Sequence, residues 1–86
     1  MLQEVKILVK NATTNDGRKF KTYKLVDEAN NGKLIDCVMC KSIEASKFDE
    51  LSKCNKAVVQ GDISINYNYE FPKAFVRTIE EVTKIN

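Results

Sequence analysis

The stretch Leu34-Ile35-Asp36-Cys37-Val38-Met39-Cys40-Lys41, followed by Ser42-Ile43-Glu44-Ala45-Ser46-Lys47-Phe48-Asp49-Glu50-Leu51-Ser52-Lys53-Cys54, changes its period midway. The first part is apolar and β-prone, and reads as a strand. The second part, residues 42–54, contains no Gly, Pro or Val, and Ala45, Phe48 and Leu51 recur at intervals of three among charged residues. That spacing predicts one short amphipathic helix of two to three turns, beginning near Ser42 and ended by Asn55. From Ala57 to Tyr69 alternation returns, with Val59, Gly61, Ile63, Ile65, Tyr67 and Tyr69 on one parity. A glycine in mid-strand predicts a bulge or a sharp bend, as at a barrel corner.

Working outward, Val5, Ile7 and Val9 alternate with Lys6, Leu8 and Lys10 and predict a first strand with one apolar face. Residues 11–17 are small and polar and end in Asp16-Gly17, a turn signal. Residues 19–26 read as a second strand, and Asn30-Asn31-Gly32 as a second turn. After the turn Glu70-Phe71-Pro72-Lys73, residues 74–85 form a last strand, with Phe75, Arg77 and Ile79 on one parity and Ala74, Val76 and Thr78 on the other. The expected fold is all-β with one helix: a five-stranded OB-fold barrel, the helix between strands three and four and plugging one end. Residues 1–86 then form a single domain. An SH3-like barrel or a flat α+β sheet is the alternative, but neither normally places a helix there.

Composition agrees with one small core. Of 86 residues 43% are apolar and 30% charged, and the net charge of +2 excludes a polyelectrolyte tail or a histone-like protein. No apolar run approaches the ~18 residues of a membrane span. The opening Met1-Leu2-Gln3-Glu4 does not resemble a signal peptide, so a soluble cytoplasmic protein is expected. Histidine is absent, which removes imidazole-based hydrolase schemes and His-ligated metal sites. Cys37, Cys40 and Cys54 are an odd set suited to free thiols. Cys37 and Cys40 lie three apart in a strand and so face opposite sides, which argues against a shared metal or a redox pair. The carboxylates form no D-x-D or E-x-x-E cluster, and no Gly-rich phosphate loop occurs. Neither an enzyme nor a cofactor is expected.

The segment from Ile35 to Ala45, then Phe48-x-x-Leu51-x-Lys53-Cys54-x-Lys56-Ala57-Val58-Val59-Gln60-Gly61-Asp62-Ile63, resembles bacterial and phage single-stranded DNA-binding proteins. Val5-Lys6-Ile7-Leu8-Val9 and Phe75-Val76-Arg77-Thr78-Ile79-Glu80-Glu81-Val82 are similar to that family's first and closing strands. The likeness covers most of the chain as a pattern rather than as identities. It implies an OB-fold that binds single-stranded DNA, protecting or organising it during replication or recombination; because one small domain covers few nucleotides, a homodimer or higher oligomer is expected. Leu34 and Cys40 fall where the cellular family commonly carries base-stacking rings. The family's long acidic-tipped tail has no counterpart here, which implies a stripped-down form from a phage or mobile element.

The residues themselves point the same way. Arg18-Lys19-Phe20-Lys21-Thr22-Tyr23-Lys24 packs four cations and two rings into seven residues. Single-strand binding needs that combination, cations for phosphates and rings for bases. OB-folds bind strands across their second and third strands and flanking loops. If Tyr23 and Leu25 point inward, then Phe20, Thr22, Lys24 and Val26 point out, and Leu34, Asp36, Val38 and Cys40 face outward on the third strand. Phe20 is then the stacking ring and Lys24 its phosphate partner; the opposite parity exposes Tyr23 instead. The bland alternative is solvated lysines around a packed Phe20. A second cluster, Tyr67, Tyr69, Phe71 and Lys73, lies at the hairpin between strands four and five, a contact loop of OB-folds. Those tyrosines are alternatively cross-strand packers or a dimer contact. The expected nucleic-acid set is therefore Arg18, Lys19, Phe20, Lys21, Thr22, Lys24, Leu34, Tyr67, Tyr69, Phe71 and Lys73. RNA fits the same residue types, because contact to a 2′-hydroxyl depends on fine geometry. The rival function is a protein-interaction module whose aromatic loop docks on a replication or host-factor complex.

Overall fold

The computed structural model describes residues 2–85. Its elements are β1 (Leu2–Thr13), β2 (Lys19–Asp27), β3 (Lys33–Met39), α1 (Ala45–Ser52), β4 (Lys56–Asn66), β5 (Lys73–Val76) and β6 (Glu81–Lys84), with one 3-10 turn at Glu28–Asn30. β1 pairs antiparallel with both β2 and β4, β2 with β3, and β4 with β5. β3 joins β5 in parallel, which closes the ring β1-β2-β3-β5-β4. Five strands closed on themselves, with the helix between the third and fourth, make an OB-like barrel.

Alternation fills the interior as the sequence predicts. Ile7 and Val9 from β1, Leu25 from β2, Ile35 from β3, Ala57, Val59 and Ile63 from β4, and Ala74 and Val76 from β5 form one buried cluster. Ile7, Leu25, Leu51 and Ile63 are each at most 1% exposed. Each such side chain contributes about 1.5–3 kcal/mol by leaving water. Leu51 brings α1 into this core, and the Phe48 ring meets Tyr23 with centroids 5.5 Å apart. The helix is shorter than residues 42–54. Ser42, where the helix is expected to begin, lies before it and donates its hydroxyl to the Arg77 carbonyl at 2.5 Å. Glu44 takes the N-cap position without a side-chain bond.

The last strand also differs from expectation. Residues 74–85 read as one strand, but they form β5 and β6, both on the same edge of β4. Ile63 faces Val76 and Gln60 faces Glu81, so two residues of β4 oppose the four residues 77–80. The surplus chain folds over the inward side of β4, burying Ile79, and is pinned at both feet. The Arg77 N–H donates to Asp62 O at 2.8 Å, and the Glu80 N–H to Gln60 O at 2.7 Å. The Asp62 N–H donates to Thr78 Oγ1 at 3.1 Å. Gly61 sits under this arch. The irregularity that its presence in mid-strand predicts therefore lies in the chain beside it, where the absent Cβ lets the Thr78 carbonyl approach.

The first hairpin is tighter than a loop over residues 11–17, since pairing runs to Thr13↔Lys19. The second closes through Asn31 and Gly32, both left-handed at φ 61° and 74°. Cys37 packs against the core, and burial pushes its thiol up to about 12, so it stays protonated and weakly nucleophilic. Among the described residues no group of three or more Cys, Asp or Glu side chains could hold a metal ion, and no helix is long and apolar enough to cross a membrane.

Candidate nucleic-acid interface

Strand register assigns the outer face directly, because residues opposite one another share a side. One row across the barrel runs Leu8, Lys24, Asp36, Lys73, Asn66. The next, on one side, runs Val38, Phe75, Ser64. On the other side lie Lys6, Val26 and Leu34. Toward the first hairpin, Thr22 faces Lys10 and Phe20 faces Ala12. With Leu25 buried and Tyr23 packed on the core, the parity that turns Phe20, Thr22, Lys24 and Leu34 outward is the one adopted. Phe20 and Leu34 are each 46% exposed.

Phe20 stands apart from the centre. β3 pairs with β2 only from Lys24 onward, and β1 with β4 only up to Leu8. The two-stranded ribbon carrying Phe20 therefore extends beyond the closed barrel, about 13 Å along the strand from Lys24. Lys19 and Lys21 alternate onto the ribbon's other side. The Lys21 ammonium donates to the Ser52 carbonyl at the end of α1, where a cation complements the helix dipole. Arg18 pairs with Asp16 at 3.2 Å in the hairpin turn. Lys24 is ion-paired with Asp36. Lys10 and Lys73 make no ion pair among the described residues.

The loop between β4 and β5 divides its three rings. Tyr67, still 54% exposed, donates its hydroxyl to Asp27 Oδ2 at 2.8 Å, bridging to the β2–β3 turn. Asn30 donates to the same oxygen at 2.7 Å. These two bonds, Asn30's first, hold the Asp27 carboxyl below the usual carboxylate range, and the same contact pushes the Tyr67 phenol up. Tyr69 lays its ring against Phe75, with centroids 6.4 Å apart and planes tilted by 42°. Phe71 projects from the loop, 72% exposed.

Tyr67→Phe removes one donor from Asp27. The Asp27 titration, followed by NMR, is expected to move up toward the ordinary range. Because the folded value lies below the unfolded one, this stabilisation is present above the ordinary carboxylate range and lost as pH falls through the lowered value. The stability gap between parent and variant in denaturant unfolding should therefore be open at neutral pH and close in strong acid. An unmoved Asp27 titration would remove the bridge from the account.

Two residues outside the expected set belong to this face. Phe75 lies at its middle, between Val38 and Ser64. The Arg77 guanidinium donates to Ser64 Oγ at 2.6 Å, beside that ring. The signal for Phe75 was available: small Ala74 and Val76 on the opposite parity are the inward pair, which leaves Phe75 outside. Comparison with protein-family models, curated proteins and solved structures finds no significant match.

Proposed function

We propose that this domain binds single-stranded DNA without strong sequence preference, across the outer face of β2, β3 and β5 and the loop between β4 and β5. The observation that carries this reading is the interleaving of rings and cations on one face. Phe75 with Tyr69 stands between Lys73 and Arg77, and Phe20 extends the same side past Lys10 and Lys24. Stacked bases need exposed rings, and the backbone needs cations within reach of them. A protein-docking patch would favour apolar residues depleted of lysine, which this face is not. Further copies of the domain would lengthen the covered strand and raise avidity.

Fluorescence anisotropy with labelled oligo-dT, oligo-U and duplex DNA at two salt concentrations tests the reading. Single strands should bind more tightly than duplex, and weaken as salt rises. No affinity for oligo-dT or any other single strand at low salt rejects it, and gives the exposed aromatic loop to a protein partner.

The lysines separate into two expected results. Lys73→Ala should weaken binding and lower the log-affinity versus log-salt slope by roughly 0.7, the loss of one phosphate contact on a single strand. Lys21→Ala should leave that slope unchanged, because its ammonium serves the end of α1, and should lower the melting temperature slightly instead. Equal slope changes in both variants would reject this division.

A further inference from the structure

A surface that only tracks phosphates has no use for a carboxylate at its centre, yet Asp36 is there. Lys24 faces it from β2 and Lys73 from β5, and Leu34 and Val38 flank it along the same side of β3. Its side chain is 48% exposed. The Lys24 ammonium engages Oδ1. An ionised carboxylate has about four lone-pair sites, so capacity to accept further bonds remains.

Charge and spacing decide what it would accept from. A phosphate is repelled by Asp36, so a bound backbone is steered off β3 to the cations on either side, Lys10 on β1 and Lys73 and Arg77 on and beside β5. Bases then lie over the middle of the face. Phe75, the central ring, stands one pleat further on, opposite Val38, and same-side neighbours along a strand are about 7 Å apart. A base stacked on Phe75 with its pairing edge toward β3 brings that edge to Asp36. The carboxylate only accepts hydrogen bonds. It takes one from the exocyclic amino group at C4 of cytosine, whereas uracil and thymine set a repelled carbonyl at C4 and leave only the ring N3–H beside it to donate.

Resting on the single-strand reading of this face, we propose that Asp36 is a specificity determinant that makes the site prefer cytosine over uracil and thymine. The lysine beside it holds the carboxylate in place and offsets its cost against the passing backbone.

The experiment compares oligo-dC with oligo-dU of equal length by anisotropy at mildly alkaline pH, for the parent and for Asp36→Asn. The two strands differ at the C4 substituent and the adjacent ring nitrogen, without the thymine methyl. The parent should bind oligo-dC about tenfold more tightly, the scale of one good charged hydrogen bond to a base edge. In Asp36→Asn the preference should collapse to within about twofold, because the amide both donates and accepts. Circular dichroism and a melting curve confirm that the variant is folded. Equal binding of the two strands by the parent overturns the proposal while leaving single-strand binding intact. So does an Asp36→Asn variant that keeps the full preference and merely binds both strands more tightly, as a simple loss of negative charge would. Failure of the parent to bind either strand rejects the single-strand reading itself.

Discussion

Gly61→Ala is expected to cost the domain at least about 3 kcal/mol, more than any surface substitution could. A Cβ placed on Gly61 would lie 2.0 Å from the Thr78 carbonyl oxygen, 2.9 Å from its carbon and 3.1 Å from Ile79 Cα. All three are backbone atoms, so no side chain can rotate out of the way. Relief requires lifting the arch of residues 77–80, and the arch is what the Arg77–Asp62, Glu80–Gln60 and Asp62–Thr78 hydrogen bonds hold down. Overpacking costs about 1–3 kcal/mol, and each bond lost adds about 1 kcal/mol. Domains of this length have about 0.05–0.15 kcal/mol of stability per residue, so the loss is a large share of the whole. Thermal unfolding should show a midpoint lower by more than about 12 °C. A Gly61→Ala protein that melts within about 3 °C of the parent would show that the arch does not press on β4 as described.

The same arch marks the limit of what the sequence reveals. Alternation sorts the residues of β1 to β4 into the two faces that the barrel keeps, because each of those strands has one face in the core and a slip of one residue would turn all of it outward. The last segment defeats that logic. Phe75, Arg77 and Ile79 share a parity, yet Phe75 is on the outer face and Ile79 is buried. The inward residues there are Ala74, Val76 and Ile79, with Val82 packed against the core. The apolar spacing thus lengthens from two to three at Val76, which is the trace a bulge leaves in a sequence. Gly61 signals the disturbance without naming its partner, because Thr78 is brought beside it only by the barrel's closure.

The candidate interface divides in the same way. Local period gives β2 two candidate faces, and the burial of Leu25 chooses the one that turns Phe20, Thr22 and Lys24 outward. Local period does not settle the fates of Lys21 and Tyr67. Each is fixed by a partner far away in sequence, Ser52 at 31 residues and Asp27 at 40 residues. A basic and aromatic run therefore shows which residue types cluster along the chain, but not which long-range partner each of them takes.

Phe75 is where that face should be most sensitive, and Phe75→Ala is expected to weaken single-strand binding by about 1–3 kcal/mol, roughly five- to 150-fold. The ring is half-buried on the outer side of β5, with Val38 and Ser64 beside it and Tyr69 tilted against it. Losing it removes the stacking surface and also the support that orients Tyr69, so the loss should sit toward the upper end. The salt slope should barely change, because stacking releases no counterions. That separates Phe75→Ala from Lys73→Ala, which lowers affinity and slope together. Alanine also removes apolar contacts, and Phe75→Leu controls for this: leucine keeps the apolar bulk against Val38 but has no π face. If stacking carries the affinity, Phe75→Leu should melt close to the parent and still lose most of the binding that alanine loses. A leucine variant that binds oligo-dC and oligo-dT like the parent would show that Phe75 only packs the loop, and would move the stacking role to Phe20 on the projecting ribbon.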